Sequence, residues 1–302
     1  MARIVRALMA MIMVLALAGV AGLGTIAVMR ARSDAQSRVA TAATDRARAI
    51  AQVVHDAVQD EIGALIATTK QRVLYLAVPH KDYRGAEPYL SELIRSHPRI
   101  ASVGIYNGAG QLVVRIPGDP SIAGRRFGQQ EYFKAARNVG AAHISKLFVQ
   151  LGKPKVPVIA YSLSVHHPGA YYGVLVATTP IREFDALVAP YAPAGSTVRI
   201  YNAAGERISP SSEASGKTYT TDAVVGPALA GRSSIRRTGG SIVAAEPVAD
   251  FGWAIVVSQP ARRGDKAVHD LTVRLSLLAG GATLLALIAA AAAWRRKPRH
   301  AD

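Results

Sequence analysis

The residues best suited to chemistry form two short clusters, and neither completes a catalytic or metal-binding pattern. Gly216–Thr218 matches the end of a phosphate-binding loop, but Ser211 stands where that loop requires a further glycine. His166 and His167 are adjacent, and neighbouring residues on a loop rarely ligate the same metal. The chain has no cysteine, which excludes thiolate nucleophiles, thiolate metal sites and disulfides. We therefore predict no catalytic residue, no metal, no cofactor and no enzymatic activity.

The charge of the chain is strongly basic, with 36 Lys and Arg against 20 Asp and Glu and a formal net charge of +16. Such an excess fits nucleic acid, anionic lipid or an acidic small molecule. The arginines are scattered, without runs or interleaved aromatic residues, so nucleic acid is not predicted as a partner. The excess favours an organic anion over an amine as a small-molecule ligand.

Two apolar windows, 7–29 and 271–294, are long enough to cross a membrane as helices. At about 1.5 Å per helical residue, each window reaches across a hydrocarbon core of about 30 Å. Arg3 and Arg6 precede the first window, as the basic residues of a cleavable signal peptide would. The apolar core is longer than the roughly 7–15 residues of such a signal, and this favours an uncleaved span. We predict an integral membrane protein with two spans.

The basic residues at the end of the chain predict the orientation of both spans. Trp294 is followed by a short basic segment, 295–302, which marks the cytoplasmic side under the positive-inside rule. Residues 1–6 are then cytoplasmic, and residues 30–270 lie outside the plasma (inner) membrane, in the periplasm of a Gram-negative cell. The short cytoplasmic tail leaves no room for an output domain, so we expect signalling through a separate partner protein.

Apolar residues at helical spacing, without proline, predict one long helix over 33–76 after the first span. A shorter helix is predicted over 87–96, because Pro98 disfavours helical backbone at His97.

A repeated pattern divides the segment between the spans into two modules. Apolar runs on either side of Asn107–Gly110 predict a β-hairpin, and the same Ile-Tyr-Asn pattern recurs around Asn202–Gly205. Each hairpin is followed later by two apolar segments that read as a strand pair. We predict an α+β fold with a distal module over 85–190 and a proximal module over 195–262, each built on an antiparallel sheet.

The segment between the spans resembles the double Cache extracellular sensor domains of bacterial chemoreceptors and sensor kinases. The resemblance rests on the long first helix, the duplicated hairpin, the stretch 127–136 with Tyr132-Phe133, and the glycine- and proline-containing run 152–157. It implies a long N-terminal helix and two PAS-like modules flanked by two transmembrane helices. It further implies a small-molecule ligand in the distal module and a homodimer.

By this resemblance, the ligand pocket lies between the distal sheet and the stretch 127–136. An arginine binds a carboxylate with two hydrogen bonds. A tyrosine contributes apolar contact area and a hydroxyl group to a ligand pocket. The candidate ligand-binding residues are the polar-tipped ones of this region: Tyr106, Arg125, Arg126, Gln130, Tyr132 and Tyr161. Gln130 stands where many family members carry an arginine for the ligand carboxylate, and this argues against an amino-acid ligand.

Two alternatives to a ligand sensor stay open at the level of sequence. The chain could be an envelope scaffold that binds another protein and keeps only a vestigial pocket. It could also be a truncated sensor kinase or chemoreceptor.

Overall fold

The computed structural model describes most of the chain. The described residues are 2–80, 83–139, 141–167, 170–192, 194–261, 272–274, 276–277, 281 and 288. The predicted second span, 271–294, falls largely outside them, and the predicted tail, 295–302, does so entirely. Across the residues that are described, no helix meets the length and apolarity needed to span a membrane. The two-span topology stays a prediction.

The chain divides into two compact units. The first comprises Met1–Ala42, Gly239–Ile242 and Pro260–Asp302. Within this unit, the N–H of Ala261 donates a hydrogen bond to the carbonyl of Gly240 at 2.9 Å. The second, which we call the core unit, comprises Ala43–Thr238 and Val243–Gln259 and holds both sheets almost entirely.

The first helix, α1, covers Ala2–Thr69. Within the core unit, its buried face includes Ile50, Val54, Val58 and Leu65, at the spacing of one helical stripe. The long helix predicted over 33–76 ends earlier, at Thr69, because the Thr68 and Thr69 hydroxyls donate to carbonyls of the last turn at 2.7 and 2.9 Å. Such bonds compete with the helical ladder. After a turn, α2 covers Arg72–His80.

The third helix, α3, covers Glu87–Ser96, which confirms the helix predicted there. Pro88 lies in its first turn, where a missing N–H is harmless, and the helix ends before the His97–Pro98 step.

The distal module is a six-stranded sheet with one helix over its face. Its strands follow the order β2-β1-β6-β5-β3, and β4 also pairs with β5. The elements are β1 (Ser102–Asn107), β2 (Leu112–Ile116), α4 (Glu131–Val139), β3 (His143–Ile144), β4 (Phe148–Val149), β5 (Pro157–His167) and β6 (Ala170–Pro180). The pairs β1–β2, β1–β6 and β5–β6 are antiparallel, as expected from the sequence.

The proximal module is a second six-stranded sheet, in the order β10-β11-β12-β7-β8-β9. The helix α5 (Arg182–Val188) precedes this sheet, within the range predicted for the distal module. The elements of the proximal module are β7 (Thr197–Tyr201), β8 (Glu206–Ser209), β9 (Ser215–Thr218), α6 (Val225–Leu229), β10 (Ser234–Thr238), β11 (Ser241–Val248) and β12 (Trp253–Pro260). Short 3-10 helices cover Tyr83–Gly85, Ala189–Tyr191 and Ser211–Glu213. In both sheets the hairpin lies beside the last strand of the sheet's strand pair. The predicted α+β fold with antiparallel sheets is confirmed.

The two hairpin turns have the same hydrogen bonds. Asn107 accepts with Oδ1 from the N–H groups two and four residues later, at 3.1 and 2.9 Å. Asn202 makes the same two bonds at the same two distances. Gly110 and Gly205 follow with φ of 75° and 76°, a conformation that favours glycine. The repeated sequence therefore encodes a repeated turn.

Candidate functional site

A cavity of about 210 Å³ lies in the distal module, on the face of the sheet that α4 covers. The strand register brings its floor together, because Gly104 on β1 is opposite Arg115 on β2 and Val176 on β6. Directly opposite residues of antiparallel strands project from the same face. Ser102 and Thr178, paired in the same register, lie on this face as well. The sheet thus supplies one charged and several small side chains.

Aromatic rings form the walls of the cavity. Tyr106 meets Phe127 edge to face, with ring centroids 5.4 Å apart, and Tyr132 stacks on Phe148 at the same centroid distance. The Ser162 hydroxyl donates to the carbonyl of Tyr132 at 2.8 Å and ties α4 to β5. Rings held in this way give a small ligand apolar area with little loss of side-chain freedom.

Arg115 is the charged group of the cavity. Its side chain is only 7% exposed, and among the described residues Nη1 and Nη2 have no hydrogen-bond partner. The nearest acid is Asp119, whose Oδ2 lies 3.8 Å from Nη1, beyond hydrogen-bond distance. A buried donor left without a partner destabilises the folded state, and more so when it is charged. The cavity therefore presents a guanidinium group that an anion would satisfy.

Asp119 is engaged elsewhere. Its Oδ1 accepts from the N–H and the hydroxyl of Ser121 at 3.0 and 2.7 Å, and its Oδ2 accepts from the N–H of Lys153 at 2.7 Å. These bonds, led by that of the Ser121 hydroxyl, lower the pKa of Asp119 to about 2. Asp119 is thus ionised near neutral pH, but its oxygens are already used by three donors.

Gln150 closes one side of the cavity through a buried hydrogen-bond network. Its Oε1 accepts from the hydroxyl of Thr178 at 2.7 Å and from that of Ser102 at 3.4 Å, and these two hydroxyls lie 2.7 Å apart. Val149 and Leu151, on either side of Gln150, line the cavity and are 59% and 48% exposed. This segment therefore contributes both a polar wall and an apolar rim.

The two tyrosine hydroxyls of the cavity are neutral. Burial raises the pKa of Tyr106 to about 12, and burial next to Tyr106 also raises the pKa of Tyr132. Both groups stay protonated across the physiological range and can donate hydrogen bonds.

Three of the six predicted site residues line this cavity, namely Tyr106, Gln130 and Tyr132. Arg125 and Arg126 do not line it and are exposed on the loop after β2. Their contribution to the fold is through the backbone, since the carbonyl of Arg125 accepts from Leu112 and Arg126 forms an isolated bridge with Gln111.

Tyr161 lies on the opposite face of the sheet. On β5 its neighbour Ala160 packs with the residues of the cavity, and the alternation of a strand directs Tyr161 the other way, towards Glu61 of α1. Burial and the Glu61 carboxyl raise the pKa of Tyr161. Tyr161 thus belongs to the contact between the sheet and the long helix.

That contact contains a buried carboxyl group. Glu61 is 1% exposed, and its Oε1 accepts from Nε of Arg99 at 2.7 Å while Oε2 lies 3.3 Å from the hydroxyl of Thr179. Burial raises the pKa of Glu61, against the opposing effect of Arg99. Thr178 lines the cavity, and the next residue of β6, Thr179, contacts Glu61 of α1 on the other face of the sheet.

Sequence reasoning missed Arg115 for an identifiable reason. Strict alternation along β2 would place Val114 on the face of Leu112 and direct Arg115 away from the cavity. A register shift between Ile105 and Tyr106 instead pairs Tyr106 with Leu112 and Ile105 with Val114. The additional residue, Val113, moves Arg115 to the cavity face. The unusual arginine in an apolar strand was the available signal.

A wider groove of about 550 Å³ lies where α1 and the two modules meet. Its acidic residues are largely exposed and paired with histidines, Glu131 with His143 and Asp250 with His55 at 3.4 Å, and its one lysine, Lys146, is exposed. The distal cavity is the stronger candidate site, because there the charged group is buried and its terminal nitrogens have no hydrogen-bond partner among the described residues.

Comparison with known proteins gives similarity at the level of structure. No family model matches the chain, and no curated protein matches it. The extracellular domain named for the histidine kinase rpHK1S-Z16 superimposes with a TM-score of 0.61 at 16% identity, over 74% of this chain and 95% of that domain.

Two further neighbours are ligand-binding domains with amino acids bound. That of the Campylobacter jejuni chemoreceptor Tlp3, with L-norvaline, has a TM-score of 0.59 at 12% identity, over 77% of this chain and 95% of that one. That of Mlp24, with asparagine, has a TM-score of 0.59 at 15% identity, over 79% and 99%. The chain has the fold of these sensory domains, and the double Cache resemblance is confirmed in that respect. These neighbours are sensor and receptor domains rather than enzymes.

Proposed function

We propose that this protein is an extracytoplasmic sensor of the double Cache type, which binds a small organic anion in its distal cavity. The observation that carries the proposal is the buried guanidinium of Arg115, whose terminal nitrogens have no hydrogen-bond partner among the described residues. A ligand carboxylate would accept two hydrogen bonds from it, in the geometry that makes such pairs strong.

The remaining lining supports a small ligand. A volume of about 210 Å³ is below the range of about 300–1,000 Å³ that is typical of pockets for drug-sized molecules. Tyr106, Tyr132 and Phe148 provide apolar area around the anchor, and the tyrosine O–H that is not used in the hydrogen bond between Tyr106 and Tyr132 can donate to a second polar group of the ligand. Apolar walls also lower the local polarity and so strengthen the ion pair.

The contact behind the sheet supports a signalling role for α1. A ligand that moves Thr178 on β6 would also move Thr179, which contacts Glu61 of the long helix. The ligand shifts such an equilibrium only by its difference in affinity between the two states. Anchoring through 7–29 and 271–294, signalling through a separate partner, and a homodimer are further parts of this proposal.

The test is a thermal-shift screen of the purified 302-residue protein against carboxylates, amino acids, amines, purines and sugars. We expect saturable stabilisation by carboxylates, about 2.7 kcal/mol at a hundred times the dissociation constant. Arg115→Met should abolish it, whereas Arg125→Ala, the same residue type exposed outside the cavity, should keep it. Equal stabilisation of the Arg115→Met variant would contradict the proposal, and a flat screen of the folded protein would favour an envelope scaffold.

A further inference from the structure

We infer that the ligand of the distal cavity is an organic acid without a charged amino group, such as a hydroxy acid or an oxo acid. The inference rests on the proposed function above and specifies its ligand class. It starts from the polar groups that the cavity offers. The hydroxyls of Tyr106 and Tyr132 hydrogen-bond to each other, which leaves one O–H to donate to an anion beside Arg115, and the amide of Gln130 adds a donor and an acceptor at the rim.

Two acceptor groups near the cavity, the Gln150 amide oxygen and the Asp119 carboxylate, already accept hydrogen bonds from the protein. Oε1 of Gln150 accepts from the Thr178 and Ser102 hydroxyls. Both oxygens of Asp119 accept from Ser121 or Lys153 at 3.0 Å or less. An ammonium group has three N–H donors and no acceptor capacity, and the acceptors left for it in the lining, the Gln130 carbonyl and the tyrosine hydroxyl oxygens, are neutral and cannot balance its charge. A hydroxyl or oxo group at the same position accepts from the free tyrosine O–H instead.

Charge points to the same class. Among the described residues that line the cavity, Arg115 is the ionised side chain. An α-ammonium group lies within a few bonds of the carboxylate that Arg115 would hold, so the two cations would be close in a buried site. Like charges in such surroundings repel more strongly than in water. The amino acids seen in the neighbouring structures therefore do not define the ligand class of this cavity.

The experiment compares acids with amino acids of the same carbon skeleton by calorimetric titration of the 302-residue protein. The pairs are glycolate and glycine, lactate and alanine, 2-hydroxy-3-methylbutanoate and valine, and 2-hydroxyhexanoate and norleucine, each with the corresponding oxo acid. We expect at least one hydroxy or oxo acid to bind at least about tenfold more tightly than its amino acid, because the amino acid leaves buried polar groups unsatisfied.

A matched pair of variants separates specificity from stability. Gln150→Glu keeps the acceptor for Thr178 and adds a negative charge, so it should lower the acid-to-amino-acid affinity ratio by about tenfold. Gln129→Glu, the same change at an exposed position outside the lining, should leave the ratio unchanged. A variant that merely weakens the fold would lower both affinities without changing their ratio, and this result for Gln150→Glu would count against the inference.

The outcomes also distinguish this inference from the proposed function. If an amino acid binds more tightly than its hydroxy and oxo acids and binding depends on Arg115, the ligand class is wrong and the anion-binding sensor stands. If neither acids nor amino acids bind the folded protein, both proposals fail.

Discussion

The distal and proximal modules share a hairpin turn and the position of the hairpin in the sheet, yet among the described residues only the distal face carries a buried arginine whose terminal nitrogens lack hydrogen-bond partners. Tyr106 and Tyr201 occupy the same place in the two hairpins. Two residues before them lie Gly104 in the distal module and Arg199 in the proximal one, and in the same register the opposite strand carries Arg115 and Pro210, respectively. Glycine leaves space over the sheet, whereas arginine fills it.

The proximal module satisfies its own arginine internally. Arg207 forms an ion pair with Glu213 at 2.8 Å, donates to the carbonyl of the same residue, and lies over the ring of Tyr219. The face around Tyr201 packs against Tyr219, Val224 and neighbouring residues of the α6 region. The comparison teaches that a duplicated backbone can form a candidate binding site where small residues leave space and buried donors have no hydrogen-bond partner.

The largest expected effect concerns the buried aromatic contact between β12 and α5. Trp253 is 1% exposed and packs edge to face with Phe184 at 5.5 Å. Trp253→Ala should lower the free energy of unfolding by about 3–5 kcal/mol, as truncation of a buried aromatic residue does. Denaturant titration measures this. A loss below about 1 kcal/mol would contradict the burial of Trp253 as a source of stability for the core unit.

The next effect converts the distal face to the proximal pattern. Gly104→Arg should abolish ligand binding, by at least about 100-fold or about 2.7 kcal/mol, because the new side chain occupies the cavity. The added Cβ would lie 3.1 Å from Leu112 Cδ1, so the neighbouring side chain must shift slightly. Calorimetric titration measures binding, and Arg199→Gly in the proximal module is the control that should retain it. Retained binding in Gly104→Arg would refute the cavity assignment.

A smaller effect compares the two turns directly. Asn202 is 1% exposed and also donates to Glu206, which accepts from the N–H of Leu147. Asn107 makes the same turn hydrogen bonds, but its side chain is more exposed than that of Asn202. Asn202→Ala should lower the free energy of unfolding by about 1–3 kcal/mol and Asn107→Ala by about 0.5–1.5 kcal/mol, because unsatisfied buried groups cost more. Equal losses in denaturant titration would show that the duplicated turns are equivalent in energy as well as in geometry.

The smallest effect concerns pH. His55 on α1 lies 3.1 Å from Asp56 and 3.4 Å from Asp250 of the β11–β12 turn, and its ring stacks on Phe251. Hydrogen bonds with Asp56 and Asp250 raise the pKa of His55 in the folded protein, despite some burial.

Because the folded pKa exceeds the unfolded one, this stabilisation is fully present below about pH 6.5 and is lost as the pH rises through the folded pKa. The free energy of unfolding should therefore fall by less than about 1 kcal/mol between pH 6 and pH 8 from this group. Asp250→Asn should reduce the fall. Denaturation midpoints at several pH values measure it, and an unchanged slope in that variant would exclude the contact.

The fold was largely predictable because its signals are local. Asn107–Gly110 fixes a turn, Pro98 limits a helix, and apolar runs mark the paired strands. The site was only half predictable. The family resemblance predicts Tyr106, Gln130 and Tyr132 correctly as lining residues of the cavity. It places Tyr161 there as well, but the alternation of side chains along β5 directs Tyr161 towards α1.

Arg115 shows why the remainder required the structure. A single bulged residue in β2 reverses which side chains face the cavity, and the sequence gives no direct sign of it. The exposed pair Arg125 and Arg126 is predicted from sequence because both residues are charged and precede an aromatic segment. Burial and hydrogen bonding, which distinguish Arg115 from them, depend on residues distant along the chain.

The most direct test of the central claim is an experimental structure of the protein with the tightest-binding acid from the titrations. The account predicts a carboxylate held by Nη1 and Nη2 of Arg115 at about 2.7–2.9 Å, between Tyr106 and Tyr132. A carboxylate bound instead at Arg125 and Arg126, or in the groove beside His143, with Arg115 uninvolved, would contradict it.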